Sequence, residues 1–498
     1  GVVAKTLSER RVTHLAMRYT DLYVDGEWVP AADGERFTVE NPADTTETVN
    51  EYAKGGTRDA ERAVEAAAEA QSEWEAMPAP ERGSILREAA ATLEDGKDGL
   101  TELLTHEEGK TLSEAAPEVQ RAIDIFYYYA EKALDDGGTR KNPSGGRASV
   151  YTKREPLGVA GLITPWNYPV AIPAWKIAPA LATGNTVVFK PASNAPGVSA
   201  EIVRALEDAG IPNGVVNFVP GSGSDVGEVI TTDDAVDVVS FTGSSEVSHH
   251  VYRQATEDTK RAQAEMGGKN PTLVTSNAAV ERAVEIVGAG AFGVTGQACT
   301  ACSRAIVHTD LYDEFVEGIV DYAESLDVGR GLEDPDMGPH ISRSELDSTL
   351  EYVDIGVDEG STLETGGERL DDDGLSDGHF VSPAVFTDVD PDTRLFQEEV
   401  FGPVLAVTEV QDFDEGVDLA NDSQYGLSAS VVTNDLGEAQ AFVERSETGV
   451  VKVNEKTTGL ELHVPFGGMK HSSTNTHREQ GDAGLDFFTQ TKTVYRNT

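Results

Sequence analysis

Both cysteines of this 498-residue chain fall in one stretch, Gly296-Gln297-Ala298-Cys299-Thr300-Ala301-Cys302-Ser303-Arg304. Upstream stands Glu265, followed by Met266-Gly267-Gly268-Lys269-Asn270-Pro271. A thiol nucleophile needs two helpers, one to hold it as thiolate and one to release what it captures. A carboxylate that activates water can do the second. The spacing Cys299-x-x-Cys302 also fits a redox pair or half of a zinc site. A zinc site needs further N or S ligands at suitable spacing. There is no second Cys pair, and the nearest histidine, His308, falls on the strand expected to follow, so no metal is expected. A thioredoxin-like unit is far shorter than this chain. An inert structural turn stays open as the other reading of the segment alone.

Such residues must be held by regular elements. Thr57 to Trp74 has apolar spacing near 3.6 and a threonine to cap it, which predicts a helix; Ile85 to Leu104 and Val119 to Ala130 predict two more. The rhythm then changes. Val159–Ile163, Thr186–Phe189, Val215–Val219 and Val236–Phe241 are short β-rich runs separated by helical segments. After Glu265 the pattern returns as strand 271–275, helix 279–292, strand 304–309 and helix 311–325. This alternation predicts an α/β protein of two doubly wound, Rossmann-like domains that meet near Glu265–Pro271. Ser149–Glu155 and Thr493–Arg496 read as strands that leave both. Gly221-Ser222-Gly223-Ser224 follows a strand, but without a third glycine in register it is a weak dinucleotide fingerprint. Gly221 and Gly223 therefore read as loop glycines with a cofactor contact as the alternative.

The formal net charge is −48, from 87 acidic and 39 basic residues. Phosphate would be repelled, so nucleic acid is excluded as a main partner. The acids are spread along the chain, which points to a cytoplasm of molar salt, where screening acts over about 3 Å. Two cysteines at this spacing fit a reducing compartment. Residues 1–18 carry no signal peptide and read as a disordered or upstream extension outside the fold. The long apolar stretch Leu157–Phe189 is interrupted by Pro165, Pro169, Pro173 and Pro179, so no membrane anchor is expected.

Read together, the motifs resemble those of the NAD(P)-dependent aldehyde dehydrogenase superfamily, from about Leu22 to the C-terminus. Tyr23-Val24-Asp25-Gly26-Glu27-Trp28 is similar to its opening strand pair. Thr164-Pro165-Trp166-Asn167-Tyr168-Pro169 is similar to its nicotinamide-side loop, Val188-Phe189-Lys190-Pro191-Ala192-Ser193 to its adenosine-ribose strand end, and Phe241-Thr242-Gly243-Ser244 to its pyrophosphate turn. Glu398-Glu399-Val400-Phe401-Gly402-Pro403 and Pro465-Phe466-Gly467-Gly468-Met469-Lys470 complete the set. The resemblance implies a cofactor-binding domain (19–135 and 158–266), a catalytic domain (267–470) and an oligomerisation arm (136–157 and 480–498). It implies Cys299 as nucleophile, Glu265 as the base of deacylation, Asn167 and the Cys299 N–H as oxyanion donors, and Lys176 as a group that tunes the thiol. Thr164, Trp166, Lys190, Ser193, Gly221, Gly243, Ser244, Glu399 and Phe401 are the expected cofactor contacts, with Glu399 on the nicotinamide ribose and Phe401 packing nearby. Gly267-Gly268 beside Glu265 would let backbone approach that carboxylate closely.

NAD-preferring relatives often carry a glutamate three residues after the matched lysine. This chain has Ser193, so NADP, or both cofactors, is expected. Lys456–Val464, Thr295–Ala301 and Arg478-Glu479-Gln480-Gly481 resemble the subgroup that oxidises 2-oxoglutarate semialdehyde. Succinic semialdehyde, betaine aldehyde or a broad range of aldehydes are the alternatives. An anionic substrate needs a local cation, for which Arg154 and Arg304 are named without a choice. The expected state is a cytoplasmic homotetramer or homodimer. A cofactor-free cysteine hydrolase would want a histidine base, and a non-catalytic binding protein on this fold would need none of these groups.

Overall fold

The runs Val159–Ile163, Thr186–Lys190 and Val216–Phe218 are buried at every residue, as strands covered on both faces must be. In the computed structural model, which describes residues 19–497 except 136, 147 and 373, they belong to a seven-stranded sheet. The expectation for residues 1–18 lies outside the described residues. The order is Arg261–Glu265, Val238–Thr242, Val159–Ile163, Thr186–Lys190, Val216–Phe218, all parallel, with the hairpin Leu22–Val24 and Glu27–Val29 added antiparallel at one edge. The chain runs outward from Val159–Ile163 on one side, then returns to its other flank with Val238–Thr242. The crevice above that reversal is where open α/β sheets bind ligands.

A second seven-stranded sheet runs Thr362–Thr365, Ala384–Thr387, Val404–Val410, Cys302–His308, Asn270–Val274, Ser428–Val432, Val450–Val453, parallel except for its first strand. Only residues 266–269 separate the last strand of one sheet from Asn270 in the other. The C-terminal ends of the first sheet therefore face the N-terminal ends of the second. Glu265 closes one strand, and Cys299 precedes another.

A third sheet pairs Ser149–Pro156 with Thr489–Arg496 over eight residues, with Arg140–Lys141 on the other side. Two local expectations are corrected. The helix expected over Ile85–Leu104 is two helices, Ala79–Asp95 and Lys97–Glu108, because Gly96 (φ −94°, ψ 5°) leaves the helical region. The strand expected over Thr493–Arg496 begins earlier, at Thr489. Gly481–Phe487 is a helix, and its Leu485 and Phe487, with Phe488, join the core around helix Ala171–Ala182. Among the described residues no helix is long and apolar enough to cross a membrane.

Candidate active site

Cys299 sits at the end of a strained turn. Val294, Thr295 and Gly296 have φ of 53°, 57° and 67°, all left-handed, and two of them are β-branched. Such a turn persists only if its surroundings hold it. Val294 N–H donates to Glu114 Oε1 (2.6 Å), Thr295 Oγ1 to the Gly338 carbonyl (3.0 Å), and Ile341 N–H to Gln297 Oε1 (3.1 Å). A Cβ on Gly296 would stand 2.2 Å from the Gly402 carbonyl oxygen, so no other residue fits. Beyond the turn, Asn270 Nδ2 donates to the carbonyls of Cys299 and Ala301, both at 2.8 Å. Cys299 keeps some exposed surface, whereas Cys302 is buried with its Sγ 3.2 Å from Thr272 Oγ1.

The Asn167 amide reaches the same turn, donating from Nδ2 to the Gln297 carbonyl at 3.0 Å. Its second N–H is left for another acceptor. The loop is braced from behind. Lys110 Nζ donates to the Asn167 carbonyl (2.8 Å) and to Glu118 Oε2 (2.6 Å), and lies 4.3 Å from the Tyr168 ring centroid. Glu118 Oε1 accepts from Val170 N–H at 3.0 Å. Glu107 and Glu108 are buried beside this brace. Glu107 accepts from Gly197 and Val198 N–H at 3.2 and 3.1 Å, and Glu108 from Lys110 N–H at 2.9 Å.

Glu265 is buried, and its Oε2 accepts from Gly468 N–H at 2.9 Å. This corrects the expectation about the glycine pairs. Gly267-Gly268 serves Glu399: a Cβ on Gly267 would lie 2.0 Å from Glu399 Oε2, and Gly268 N–H donates to Glu399 Oε1 at 2.9 Å. The pair that receives Glu265 is Gly467-Gly468. Burial, then the charge of Glu479, push the Glu265 carboxyl up to about 8, against the Gly468 N–H, Arg478 and Lys176. Burial pushes Glu399 to about 7. The Cys299 thiol is raised to about 12 by burial and then by Glu399, Glu265 and Glu479. Burial and these three carboxyls thus oppose the resting thiolate that was expected and favour the thiol.

Glu479 was named in the sequence only as part of a motif and given no role of its own. It is buried, accepts from Trp175 Nε1 (2.9 Å) and pairs with Lys176, which also donates to Ser240 Oγ at 2.7 Å. Lys176 therefore stands with Glu479 and Glu265 and makes no hydrogen bond to Cys299. The two arginines named for a substrate carboxylate are also placed elsewhere. Arg304 is buried and donates to the carbonyls of Lys269, Leu419, Ala420 and Asp422. Arg154 pairs with Asp486. No histidine hydrogen-bonds the Cys299 thiol among the described residues, and none of them gather as a metal would need.

The remaining expected contacts line the ends of the first sheet. Thr164 follows Val159–Ile163, Lys190 ends its strand, Gly221 follows Val216–Phe218, and Gly243-Ser244 joins Val238–Thr242 to helix Ser245–Glu257. Ser244 caps that helix through its backbone alone, which leaves amides at its N-terminus for an anion. The hydroxyls of Thr164 and Thr242 are buried without partners. Lys190 is buried with only the Pro191 carbonyl at 3.3 Å, and burial lowers it to about 8. A buried cation and orphan hydroxyls along one crevice fit a dinucleotide. Ser193 makes a long contact to the Gly221 carbonyl (3.5 Å) and lines a cleft of about 720 Å³ with Arg343 and Arg369. Trp166 meets Phe401 edge to face at 5.4 Å.

The aldehyde dehydrogenase family profile matches residues 28–494. An α-ketoglutarate semialdehyde dehydrogenase of Haloferax volcanii is 62% identical over 473 residues, 95% of this chain and 98% of that protein. A 2,5-dioxopentanoate dehydrogenase of Saccharolobus solfataricus is 41% identical, covering 94% of this chain and 98% of its own length. The crystal structure of a Staphylococcus aureus betaine aldehyde dehydrogenase in complex with NAD+ superposes with a TM-score of 0.93 at 36% identity, over 96% of this chain and 94% of that one.

Proposed function

Because the chain belongs to the aldehyde dehydrogenase family, we propose that its site oxidises 2-oxoglutarate semialdehyde to 2-oxoglutarate, with Cys299 as nucleophile and Glu265 as base. The observation that supports this most is the meeting of Cys299, Asn167 and Glu265 where the two sheets face each other. Cys299 gives up its thiol proton to solvent, and its Sγ attacks the aldehyde carbon. The carbonyl π electrons move to oxygen, which the free Asn167 N–H and the Cys299 N–H receive. Bound NAD(P) supplies the hydride acceptor. The resulting thioester on Cys299 is cleaved by water whose proton goes to Glu265, beside which Glu479 pairs with Lys176. The product is the acid, with the thiol restored.

Thr164, Trp166, Lys190, Ser193, Gly221, Gly243, Ser244, Glu399 and Phe401 hold the dinucleotide in this reading. Lys190 has no carboxylate partner and Ser193 carries no charge, so a 2′-phosphate is not repelled. NADP is expected to serve at least as well as NAD. Lys190→Ala should raise KM for NADP by about tenfold or more, with a smaller effect on NAD, as loss of a charged hydrogen bond predicts. A strong NAD preference in side-by-side kinetics would sink this. The outer edge of the Thr489–Arg496 strand is open, with Tyr495 77% exposed, which supports a homodimer or homotetramer.

The deciding experiment on substrate is an aldehyde panel with both cofactors at about 2 M KCl, since a surface this acidic repels itself at low salt. The expected result is the highest kcat/KM on 2-oxoglutarate semialdehyde. Far higher values on short neutral aldehydes would overturn the substrate while leaving the chemistry in place.

A further inference from the structure

The substrate proposed above carries a carboxylate, and a chain of net charge −48 must supply a cation for it locally. Arg154 and Arg304 are spent elsewhere. Lys176 pairs with Glu479, and Arg478 donates to the Gly468 carbonyl behind Glu265. Lys452 donates to the Thr458 (3.0 Å) and Gly459 carbonyls. Lys456 of the same loop is exposed to solvent, so the remaining half-buried cation on this side is Arg121, on helix Leu112–Lys132.

Arg121 is half-buried, and no carboxylate lies within ion-pair distance among the described residues. Its NH1 donates to the Leu460 carbonyl, and its NH2 to Gln480 Oε1 at 2.8 Å. A guanidinium has five N–H donors, so others stay free. Burial lowers its pKa, against the nearby carboxylates Glu461 and Asp124, and the Tyr168 phenol is a further neighbour. Tyr168 is also a neighbour of Cys299 and follows Asn167 in the loop. Arg121 thus shares its tyrosine neighbour with the thiol. The exposed Glu461 is near enough to act on it but forms no ion pair with it.

Gln480 adds a second, independent sign. Arg121 only donates, so it must face the amide oxygen, and that fixes which way the amide points. The Gln480 Nε2 is then a buried donor with no partner. Its backbone lies at φ 64°, ψ 168°, a region that is essentially glycine's. Strain and an unmet donor beside an unpaired cation mark a place kept for an acceptor.

We propose that Arg121, with Gln480 Nε2, binds the carboxylate of the aldehyde substrate at the end remote from the reacting carbon. The guanidinium holds it in a forked pair of hydrogen bonds, and loop Lys456–His463 fixes the depth through the Leu460 carbonyl. This rests on the substrate reading above and names the residues that select it.

The test compares 2-oxoglutarate semialdehyde with pentanal, a neutral aldehyde of the same chain length, in wild type, Arg121→Met and Arg121→Lys. Arg121→Met should lower kcat/KM for the anionic aldehyde by about thirtyfold or more, through KM, and leave pentanal within about threefold. Arg121→Lys keeps charge without the fork and should lose about fivefold to tenfold on the anionic aldehyde alone. If Arg121→Met does not fold, the selectivity of Arg121→Lys decides. Equal losses on both aldehydes would make Arg121 a brace for the loop and overturn the inference, as would no loss on either. A wild type that prefers pentanal would overturn the substrate reading itself, an outcome distinct from both.

Discussion

Replacing Cys299 with alanine is expected to abolish aldehyde oxidation, by about ten-thousandfold or more, while dinucleotide binding survives. Cys302→Ala is expected to keep most of the activity. The two thiols stand in one turn but face different surroundings. Cys299 is partly exposed among Glu265, Glu399 and Tyr168, whereas Cys302 is buried against Thr272 and in the core of the second sheet. Activity and NADP titration of both variants, each checked for thermal unfolding, separate the cases. A dead Cys302→Ala with an active Cys299→Ala would reverse the assignment.

Glu265→Gln is expected to slow thioester hydrolysis by about a hundredfold to a thousandfold, with a much smaller effect on the first turnover, as removal of a general base predicts. Rapid mixing should then show a burst of reduced cofactor followed by little turnover. In the unchanged enzyme the base must be ionised, and its carboxyl is raised to about 8. Steady-state kcat should therefore rise with pH up to about 8 and then level, and this limb should vanish in Glu265→Gln. Equal loss of burst and turnover would remove Glu265 from deacylation.

Much of this architecture could be read from the chain, for a physical reason. Strands buried on both faces are short unbroken apolar runs, and the residue that ends each run marks the ligand crevice. The strand ends at Lys190 and Glu265 were legible in that way, and the thiol drew notice by its rarity, while the roles expected of these residues came from the resemblance. Contacts between distant segments were not. Gln480 meets Arg121 across 359 residues and Glu479 meets Lys176 across 303, and periodicity along one helix cannot name such partners. The glycine pairs were misassigned because adjacency in sequence was taken for adjacency in space. Gly267-Gly268 meets Glu399 instead, and a different pair comes to Glu265. Gly96 breaks a helix whose apolar spacing continues on either side, so the break left no trace in the pattern.

The carboxyls buried around the site have one more effect, on folding itself. Glu107 and Glu399 are raised to about 7, and Glu108 and Glu265 to about 8, from an ordinary 4.5, in each case mainly by burial. Between those values the native chain holds protons that the unfolded chain has released, so folding is a proton uptake. Their contribution to stability is whole below the unfolded value and is lost as pH rises through 7 to 8. These acids resist acid denaturation rather than cause it. The same ionisation that readies the base for catalysis loosens the fold around it.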